Sequence, residues 1–212
     1  RPPRHLDLRD MPIVLNILAL IPFYLCGTIP TGHLVAKHHG VPIEGEGSGN
    51  VGATNVARVL GKKAGLLTLT GDILKGFLAA SLAGLISDNA AFIAAASVAV
   101  VAGHCFSIPG KLKGGKGVAT ALGALLHLSP VSALLGLAVF AVVFSAFRYV
   151  SLASVAAALT APIYGILGQN IRTTNIAIIL ISLLVTFRHK DNLQRLSAGK
   201  EPKFKARELL QK

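Results

Sequence analysis

The sequence predicts an all-α polytopic membrane protein with seven transmembrane helices, and three observations support this fold class. The 212 residues are 52% hydrophobic, and the mean hydropathy is +0.63. Apolar blocks of about 20 residues recur along the chain, the length that a helix needs to cross a bilayer core. Short glycine-rich or basic connections separate the blocks and leave almost nothing for a separate soluble domain.

Each apolar block is interpreted as one span. The first contains Pro22, Gly27, Pro30 and Gly32, which predict a kinked span. The third is rich in alanine and other small residues, which let helices approach closely. In order, the blocks cover about 12–38, 64–86, 89–106, 118–128, 130–147, 150–167 and 171–187. Residues 11–204 form one predicted domain, between a polar tail at 1–10 and a basic tail at 205–212.

The second block carries two ionisable residues. Asp72 and Lys75 are three residues apart on one helical face, where they can pair. Because charges inside a span are costly, they often mark a function. A structural ion pair near the interface is the alternative.

The basic residues follow a pattern that predicts the topology. The net charge is +12, but 16 of the 21 Lys and Arg residues lie on connections that seven spans place on one side. The positive-inside rule makes that side cytoplasmic, with the N-terminus outside and the C-terminus inside. Loop charges of this kind suit lipid headgroups and anionic substrates, and we expect no nucleic-acid partner. The polar connections described next all fall on the cytoplasmic face.

The first glycine loop, residues 47–58, has the composition of a phosphate-binding loop. Its three glycines allow backbone N–H groups to approach a ligand closely. A helix starting after Gly52 would aim free N–H groups at an anion. The polar side chains, which offer neutral donors and one forked cation, are Ser48, Asn50, Thr54, Asn55 and Arg58. The alternative is a polar connection, because these residue types are common in turns.

The second glycine loop, residues 110–117, is the other anion-binding candidate. Gly110 to Lys116 fits a P-loop spacing, but Gly117 stands where that motif needs Ser or Thr, and no strand is predicted before it. We therefore disfavour nucleotide specificity and keep anion binding on a glycine-rich backbone that opens a helix. Its residues of interest are Lys111, Lys113, Gly114, Gly115, Lys116 and Gly117. His104, which precedes the loop, is expected to position it by hydrogen bonding.

The last junction, residues 188–195, places His189 and Asn192 three residues apart, where they can share a helical face. A structural role is the alternative for this pair. We predict no metal site. Four side chains could suggest zinc, but their spacing is only weakly like that of a zinc site: His38, His39, Glu44 and Glu46. Cys26 and Cys105 have no metal-like spacing and predict no disulfide framework.

Four segments of the chain resemble the motifs of one family, in order and at the expected spacing. They are GSGNVGATNVARVLGKKAG at 47–65, GHCF…KGGKGVATALG at 103–123, YVSLAS at 149–154 and HKDNLQRLSAGKE at 189–201. They look like the motifs of the bacterial membrane acyl phosphate:glycerol-3-phosphate acyltransferase family, known as PlsY, over roughly residues 12–204. That family usually has proline after Gly-His-x-Phe, whereas this chain has Ser107 there and Pro109 two positions later. The path of that loop is therefore open.

The resemblance implies a reaction and its partners. Similar proteins are seven-span proteins of the bacterial inner membrane with a cytoplasmic active site. They move a fatty acyl group from acyl phosphate to the sn-1 hydroxyl of glycerol 3-phosphate, giving lysophosphatidate and inorganic phosphate. This is the first step of phospholipid synthesis. The implied partners are the two substrates and membrane lipid, with no cofactor and no obligate protein partner.

The resemblance also implies which residues act. Those implied to be catalytic are Ser48, Arg58, Lys116, His189 and Asn192. Those implied to bind substrate are Asn50, Thr54, Gly114, Gly115, Gly117 and Ser154. Ser151 is the other candidate for the junction serine, and the glutamate of the last motif falls on Glu201.

The residues support this chemistry on their own terms. Two phosphorylated substrates need two anion sites, and Arg58 and Lys116 are the obvious pair. Acyl phosphate is already activated, so the enzyme mainly holds hydroxyl and carbonyl within attack distance and stabilises charge. The chain has no G-x-S-x-G motif and no Ser/His/Asp set, which predicts direct transfer without an acyl-enzyme. The general base is either His189 or a substrate phosphate.

Two other classes of protein have cationic membrane loops or no chemistry at all. A transporter of organic phosphates would place its binding residues near the bilayer midplane on broken helices. The polar clusters of this chain lie at one predicted surface instead, which favours an interfacial enzyme. A membrane scaffold without chemistry leaves the clustering of Gly, Asn and Lys unexplained.

Overall fold

The structure of the chain is a computed structural model that describes residues 13–107, 114–167 and 171–204. The predicted tails at 1–10 and 205–212, together with Pro109, Lys111 and Lys113, lie outside the described residues. Within those three ranges the chain is helical and contains no strand. The helices are α1 (Ile13–Leu18), α2 (Ile21–Gly27), α3 (Thr31–His38), α4 (Ala53–Leu60), α5 (Lys62–Ile86), α6 (Ala90–Phe106), α7 (Val118–Leu128), α8 (Pro130–Phe147), α9 (Val150–Leu167), α10 (Arg172–Arg188) and α11 (Lys190–Ser197), with a 3-10 helix at Ile43–Gly45.

The first apolar block is divided into α1, α2 and α3, which confirms the predicted kink. Pro22 lies in the first turn of α2, where its missing N–H costs little. A break at residues 28–30 separates α2 from α3, and Pro30 immediately precedes α3. The other six blocks coincide with α5 to α10 within two residues at each end.

Four helical segments are long and apolar enough to cross a membrane: Val14–His38, Lys62–Ile86, Pro130–Phe147 and Val150–Leu167. The apolar helices α6 and α7 are shorter, with 17 and 11 residues. At about 1.5 Å per residue α7 covers roughly 16 Å, about half the thickness of a bilayer core. The chain therefore has the multi-pass helical architecture that its apolar blocks predict.

Glycines bring the helix backbones into direct contact. A Cβ on Gly27 of α2 would lie 2.1 Å from the carbonyl oxygen of Val100 in α6. One on Gly76 of α5 would lie 2.1 Å from the carbonyl oxygen of Thr120 in α7. Large apolar side chains such as Leu85, at 74% exposure, point outward instead. Small residues thus make the helix contacts and large apolar ones form the outer surface, as is usual in a bilayer.

The junctions that carry the predicted site residues meet at one end of the bundle. Ser151, at the start of α9, donates to Glu201 beyond α11 at 2.7 Å. Arg188, at the end of α10, donates to the Gly114 carbonyl oxygen before α7 at 3.0 Å. Antiparallel neighbours place alternate connections at the same end, so residues far apart in sequence come together there.

Candidate active site

The first glycine loop is folded around the side chain of Asn55. The Oδ1 of Asn55 accepts the Ser48 backbone N–H at 2.8 Å, and its Nδ2 donates to the Glu46 carbonyl oxygen at 2.9 Å. Gly47 and Gly49 have φ of 59° and 66°, a region that glycine enters without steric cost. Asn55 is 2% exposed, and these contacts make it the internal support of the loop.

The helix predicted after Gly52 is confirmed as α4. The Asn50 Oδ1 accepts the Gly52 N–H at 2.8 Å, a local turn that leads the chain into the helix. Ser48 is exposed, and Thr54 lies half-buried in the first turn of α4. In the last turn, the Arg58 guanidinium makes a long contact of 3.5 Å with Asn55 through Nη1. That contact uses one of about five N–H donors, so the fork keeps the capacity to bind an anion.

The second glycine loop is pressed against the end of α6, and only glycine fits there. A Cβ on Gly114 would lie 2.1 Å from the Cys105 carbonyl oxygen, and one on Gly115 would lie 2.2 Å from the His104 Nε2. The Gly115 N–H donates to the His104 carbonyl oxygen at 3.0 Å. Gly117 has φ of 80° and precedes α7, which confirms that the loop opens a helix. His104 thus positions the loop through its backbone as well as its ring.

Arg188 of α10 also holds the same loop. Its Nη2 donates to the Gly114 carbonyl oxygen and its Nε to the Gly115 carbonyl oxygen, both at 3.0 Å. The guanidinium carbon also lies 5.8 Å from the centre of the Phe106 ring, in cation–π range. A planar fork suits two adjacent carbonyls better than an ammonium group does. Arg188 therefore fixes the backbone that carries Lys116.

His189 is a buried neutral histidine between α10 and α11. It is 2% exposed, and its Nδ1 lies 2.7 Å from the Val185 carbonyl oxygen. Since a carbonyl only accepts, Nδ1 carries the proton and Nε2 carries the lone pair. Burial lowers the pKa of His189 to about 4, with the nearby Lys116 contributing, despite the opposing hydrogen bond to Val185. At neutral pH Nε2 is thus a hydrogen-bond acceptor.

Glu201 collects three donors around one carboxylate. Its Oε1 accepts from the Asn192 Nδ2 at 2.6 Å and from the Ser151 hydroxyl at 2.7 Å, and its Oε2 accepts from the Arg195 Nε at 2.8 Å. Burial raises the pKa of Glu201, but the three hydrogen bonds outweigh burial and hold it below its usual value. The ionised carboxylate therefore fixes Asn192 and ties α11 to the start of α9.

The junction serines have different partners. The Ser154 hydroxyl, which the sequence assigns to substrate binding, donates to the Val150 carbonyl oxygen of its own helix at 2.8 Å. Ser151, the alternative, is the serine that contacts Glu201. Ser151 and Ser154 lie about one turn apart on α9. Which of the two reaches Glu201 depends on how α9 packs against the residues after α11.

Lys116 links the second loop to the α11 cluster electrostatically. Its pKa is lowered to about 8, mainly because the side chain is buried, and the positive charges of Arg195 and Arg188 add to that effect. Glu201 and Asp191 oppose the shift by attracting the ammonium group. Lys116 thus lies within the field of the cluster around His189.

Residues of both glycine loops line one small cleft that is open to solvent. Val51 of the first loop lines it, and so do Gly114 and Gly115 of the second. Asp72 of α5 and His104 of α6 also line the cleft. Concave sites with a few convergent polar groups are typical of ligand binding.

The structure brings the predicted residues together in two groups. The first-loop group is Ser48, Asn50, Thr54 and Arg58, and the second is Gly114, Gly115, Lys116, Gly117, His189 and Asn192. Within the described ranges no hydrogen bond joins the two groups directly, and of their members Gly114 and Gly115 line the cleft. Arg188 is the positioning residue that the sequence missed. Its position just before His189 in the last motif could have pointed to a role. Recognising that role, however, requires knowing that α10 ends against the second loop.

Glu44 is one of the four side chains whose spacing is only weakly like that of a zinc site, with His38, His39 and Glu46. His33 takes Glu44 as its partner, with the Nε2 at 2.7 Å from Oε1. In the part of the chain that the structure describes, no three His, Cys, Asp or Glu side chains form a metal-binding group.

Comparison with known proteins gives one consistent result. Residues 17–199 match the family model described as Glycerol-3-phosphate acyltransferase. The chain is 46% identical to the glycerol-3-phosphate acyltransferase of Trichlorobacter lovleyi, over 86% of this chain and 94% of the relative. It is 44% identical to the glycerol-3-phosphate acyltransferase of Geobacillus kaustophilus, over 90% of this chain and 97% of the relative. It is also similar to the crystal structure of PlsY (YgiH), an integral membrane glycerol 3-phosphate acyltransferase, in its glycerol 3-phosphate form. That structure has a TM-score of 0.85 and 38% identity, with 92% of this chain and 98% of the other covered.

Each match extends over nearly the whole length of this chain and of the related protein. The residues matched by the family model, 17–199, include the glycine loops and the junction before α11. The chain therefore belongs to the glycerol-3-phosphate acyltransferase family.

Proposed function

We propose that this chain transfers a fatty acyl group from acyl phosphate to the sn-1 hydroxyl of glycerol 3-phosphate, giving lysophosphatidate and inorganic phosphate. The observation that carries the proposal is that residues of both glycine loops, Val51 of the first and Gly114 and Gly115 of the second, line one cleft. Each loop also has its own cation, Arg58 or Lys116, which suits one of two phosphorylated substrates. The similar PlsY structures, in a glycerol 3-phosphate form and a lysphosphatidic acid form, support the same substrate and product here.

In this proposal the two loops bind the two phosphates. Arg58 and the N–H groups at the start of α4 bind one, with Ser48, Asn50 and Thr54 as neutral donors. Lys116 binds the other, on the backbone that Gly114, Gly115 and Gly117 shape. A charge-assisted contact of this kind contributes about 1.5–3 kcal/mol.

The chemical step is a direct displacement. The sn-1 oxygen bonds to the acyl carbonyl carbon while the bond from that carbon to the phosphate oxygen breaks. The hydroxyl proton passes to His189 Nε2 or to a phosphate oxygen, and phosphate leaves. The neutral state of His189 fits the acceptor role, because its pKa of about 4 leaves Nε2 unprotonated at neutral pH. We assign Asn192, whose Nδ2 donates to Glu201, to orienting a substrate oxygen.

We also propose the topology that the charges predict. Seven spans comprise the α1–α3 run and α5 to α10, with α7 as the shortest. The N-terminus lies outside, while the glycine loops, α11 and the basic tail lie on the cytoplasmic face of the inner membrane. Residues 11–204 act as one domain. A membrane-impermeant thiol reagent should label Lys190→Cys from the cytoplasmic side and Arg172→Cys from the opposite side. Labelling of both from one side contradicts this topology.

The activity is tested with purified protein in detergent. Acyl phosphate and labelled glycerol 3-phosphate should give lysophosphatidate and inorganic phosphate in equal amounts, and acyl-CoA should not replace acyl phosphate. Absence of lysophosphatidate would refute the proposed function.

Site variants test the roles. Arg58→Ala and Lys116→Ala should each lose roughly 10- to 100-fold in kcat/KM, because each removes one charge-assisted phosphate contact. Arg172→Ala, at the other end of α10, is the matched control and should keep full activity. Trapping a stable acyl-serine at Ser48 with a labelled donor would exclude direct transfer.

A further inference from the structure

We propose that a buried polar group inside the helix bundle, made of the Asp72–Lys75 ion pair and His104, fixes the two glycine loops relative to each other. We call it the buried frame. Its members are positioning residues, because they act through the loops that bind the substrates. The inference rests on the proposed function for its catalytic consequence and on geometry for its structural one.

The frame is built on an ion pair inside α5. Asp72 and Lys75 are 3% and 7% exposed, and the Lys75 Nζ lies 2.8 Å from the Asp72 Oδ1. His104 of α6, 9% exposed, places its Nδ1 3.6 Å from the same carboxylate oxygen. Three ionisable side chains buried together are costly to desolvate, and none of them belongs to the proposed phosphate sites.

One arm of the frame reaches the first glycine loop. Lys75 donates to the Ile29 carbonyl oxygen at 2.9 Å, at the break between α2 and α3. Three residues later, Gly32 packs under the first loop. A Cβ on Gly32 would lie 1.8 Å from the Val51 carbonyl oxygen, so the two backbones are in contact. The position of the α2–α3 break therefore sets the position of the first loop.

The other arm reaches the second glycine loop. The His104 carbonyl oxygen accepts the Gly115 N–H at 3.0 Å, and Gly115 packs against the Nε2 edge of the His104 ring. Asp72, beside that ring, is therefore one contact away from the backbone that carries Lys116. Ile29, Asp72, His104 and Gly115 all line the cleft between the loops.

The frame thus completes a continuous path from one phosphate loop to the other. No hydrogen bond joins the two site groups within the described ranges. The frame therefore acts together with the packing of α5 on α4, at Gly65 and Ala57, and on α7, at Gly76 and Thr120. Acyl transfer requires the reacting atoms to be about 3–3.5 Å apart, and an error of about 1 Å can cost 100-fold in rate. Setting the spacing of two bound phosphates is consequently a catalytic requirement.

Stability alone does not account for these charges. Replacing a buried ion pair by apolar side chains of similar size is often neutral or stabilising, whereas removing one partner is destabilising. The double variant Asp72→Leu/Lys75→Met therefore separates a positioning role from a purely structural one. Asp72→Asn, which keeps an oxygen beside Lys75 and His104, is the conservative variant. Ser81→Ala is the matched control in α5, because it removes a polar contact to His127 of α7, at 3.2 Å, away from the cleft.

The experiment compares unfolding temperature, amide hydrogen exchange and steady-state kinetics in detergent. We expect the double variant to unfold within a few degrees of the wild type. Amide exchange should be at least tenfold faster in residues 31–36 and 114–118 and unchanged in α8 and α9. We also expect kcat to fall at least tenfold with KM for glycerol 3-phosphate within threefold, since each phosphate still meets its own loop. Asp72→Asn should recover part of both losses, and Ser81→Ala should show neither.

Two outcomes overturn the inference. In one, the double variant keeps loop exchange and kcat within threefold of the wild type. In the other, Ser81→Ala loses as much activity and loop protection as the double variant. The exchange measurement needs no turnover, so it tests the frame even where the wild-type protein makes no lysophosphatidate, an outcome that would count against the proposed function alone.

Discussion

Replacing Arg188 with alanine removes the two hydrogen bonds that hold the second glycine loop from the side of α10. The loop keeps the Gly115 contact to His104 but loses the fork on the Gly114 and Gly115 carbonyls. Lys116 follows directly in the chain, so we expect its ammonium group to sample positions away from the bound phosphate. Activity should fall even though Arg188 itself touches no substrate in this proposal.

The structure sets the size of the effect. A hydrogen bond from a charged donor contributes about 1.5–3 kcal/mol, and two bonds from one fork are not additive. Arg188 is half-buried, so water can replace part of what is lost. We expect a cost of about 2–3 kcal/mol to the productive loop conformation, which corresponds to roughly 30- to 150-fold in kcat/KM. Arg188→Lys should lose less, because one ammonium can still meet one carbonyl.

The assay is lysophosphatidate formation from acyl phosphate and labelled glycerol 3-phosphate. Guanidinium-containing small molecules, added at increasing concentration, should restore part of the activity of Arg188→Ala and none of that of Lys116→Ala. Arg172→Ala is again the control. The reasoning fails if Arg188→Ala stays within threefold of the wild type, or if Arg172→Ala is equally impaired.

Three further predictions follow from particular geometries. Lys116 has a pKa lowered to about 8 by burial, and phosphate binds the protonated form, so kcat/KM should fall as pH rises through about 8. Lys116→Arg should remove that fall, and a wild-type profile flat to pH 10 would contradict it. Gly115→Ala places a methyl group 2.2 Å from the His104 Nε2 and should lower activity at least tenfold. Gly136→Ala should be tolerated, because its methyl group would lie 3.5 Å from the nearest atom, the Ala157 carbonyl oxygen. Ser107 has φ 49° and ψ −151°, a region populated almost only by glycine, so Ser107→Gly should raise the free energy of unfolding by about 1–3 kcal/mol in denaturation experiments. An unchanged or lower unfolding free energy argues against strain at that position.

The helices themselves were accessible to sequence reasoning. Block four was expected at 118–128 and is the helix Val118–Leu128, while block three, expected at 89–106, is Ala90–Phe106. These elements are set by local properties, namely the length of an apolar run and the glycines or prolines at its ends. The Asp72–Lys75 pairing is local in the same sense, because a separation of three residues on a helix places two side chains on one face.

The shape of the site was less accessible. The sequence offered Asn55 as a ligand donor, but the residue is buried and forms the internal support of the first loop. It preferred Ser154 to Ser151, although the position of α9 against the residues after α11 gives Ser151 the contact with Glu201. It gave Arg188 no role. In each case the deciding partner lies outside the short segment in which the residue was interpreted.

The sequence by itself determined an all-helical membrane chain, the position of its helices, two glycine loops with one key cation each, and the motifs that mark the family. Those features depend on composition and short spacings, which one segment carries alone. Only the tertiary structure decided that Arg188 serves the loop 74 residues before it, that Glu201 gathers a serine 50 residues away, and that a buried frame connects the two loops. Contacts between distant residues are set by how helices pack against one another, and no single segment contains both partners.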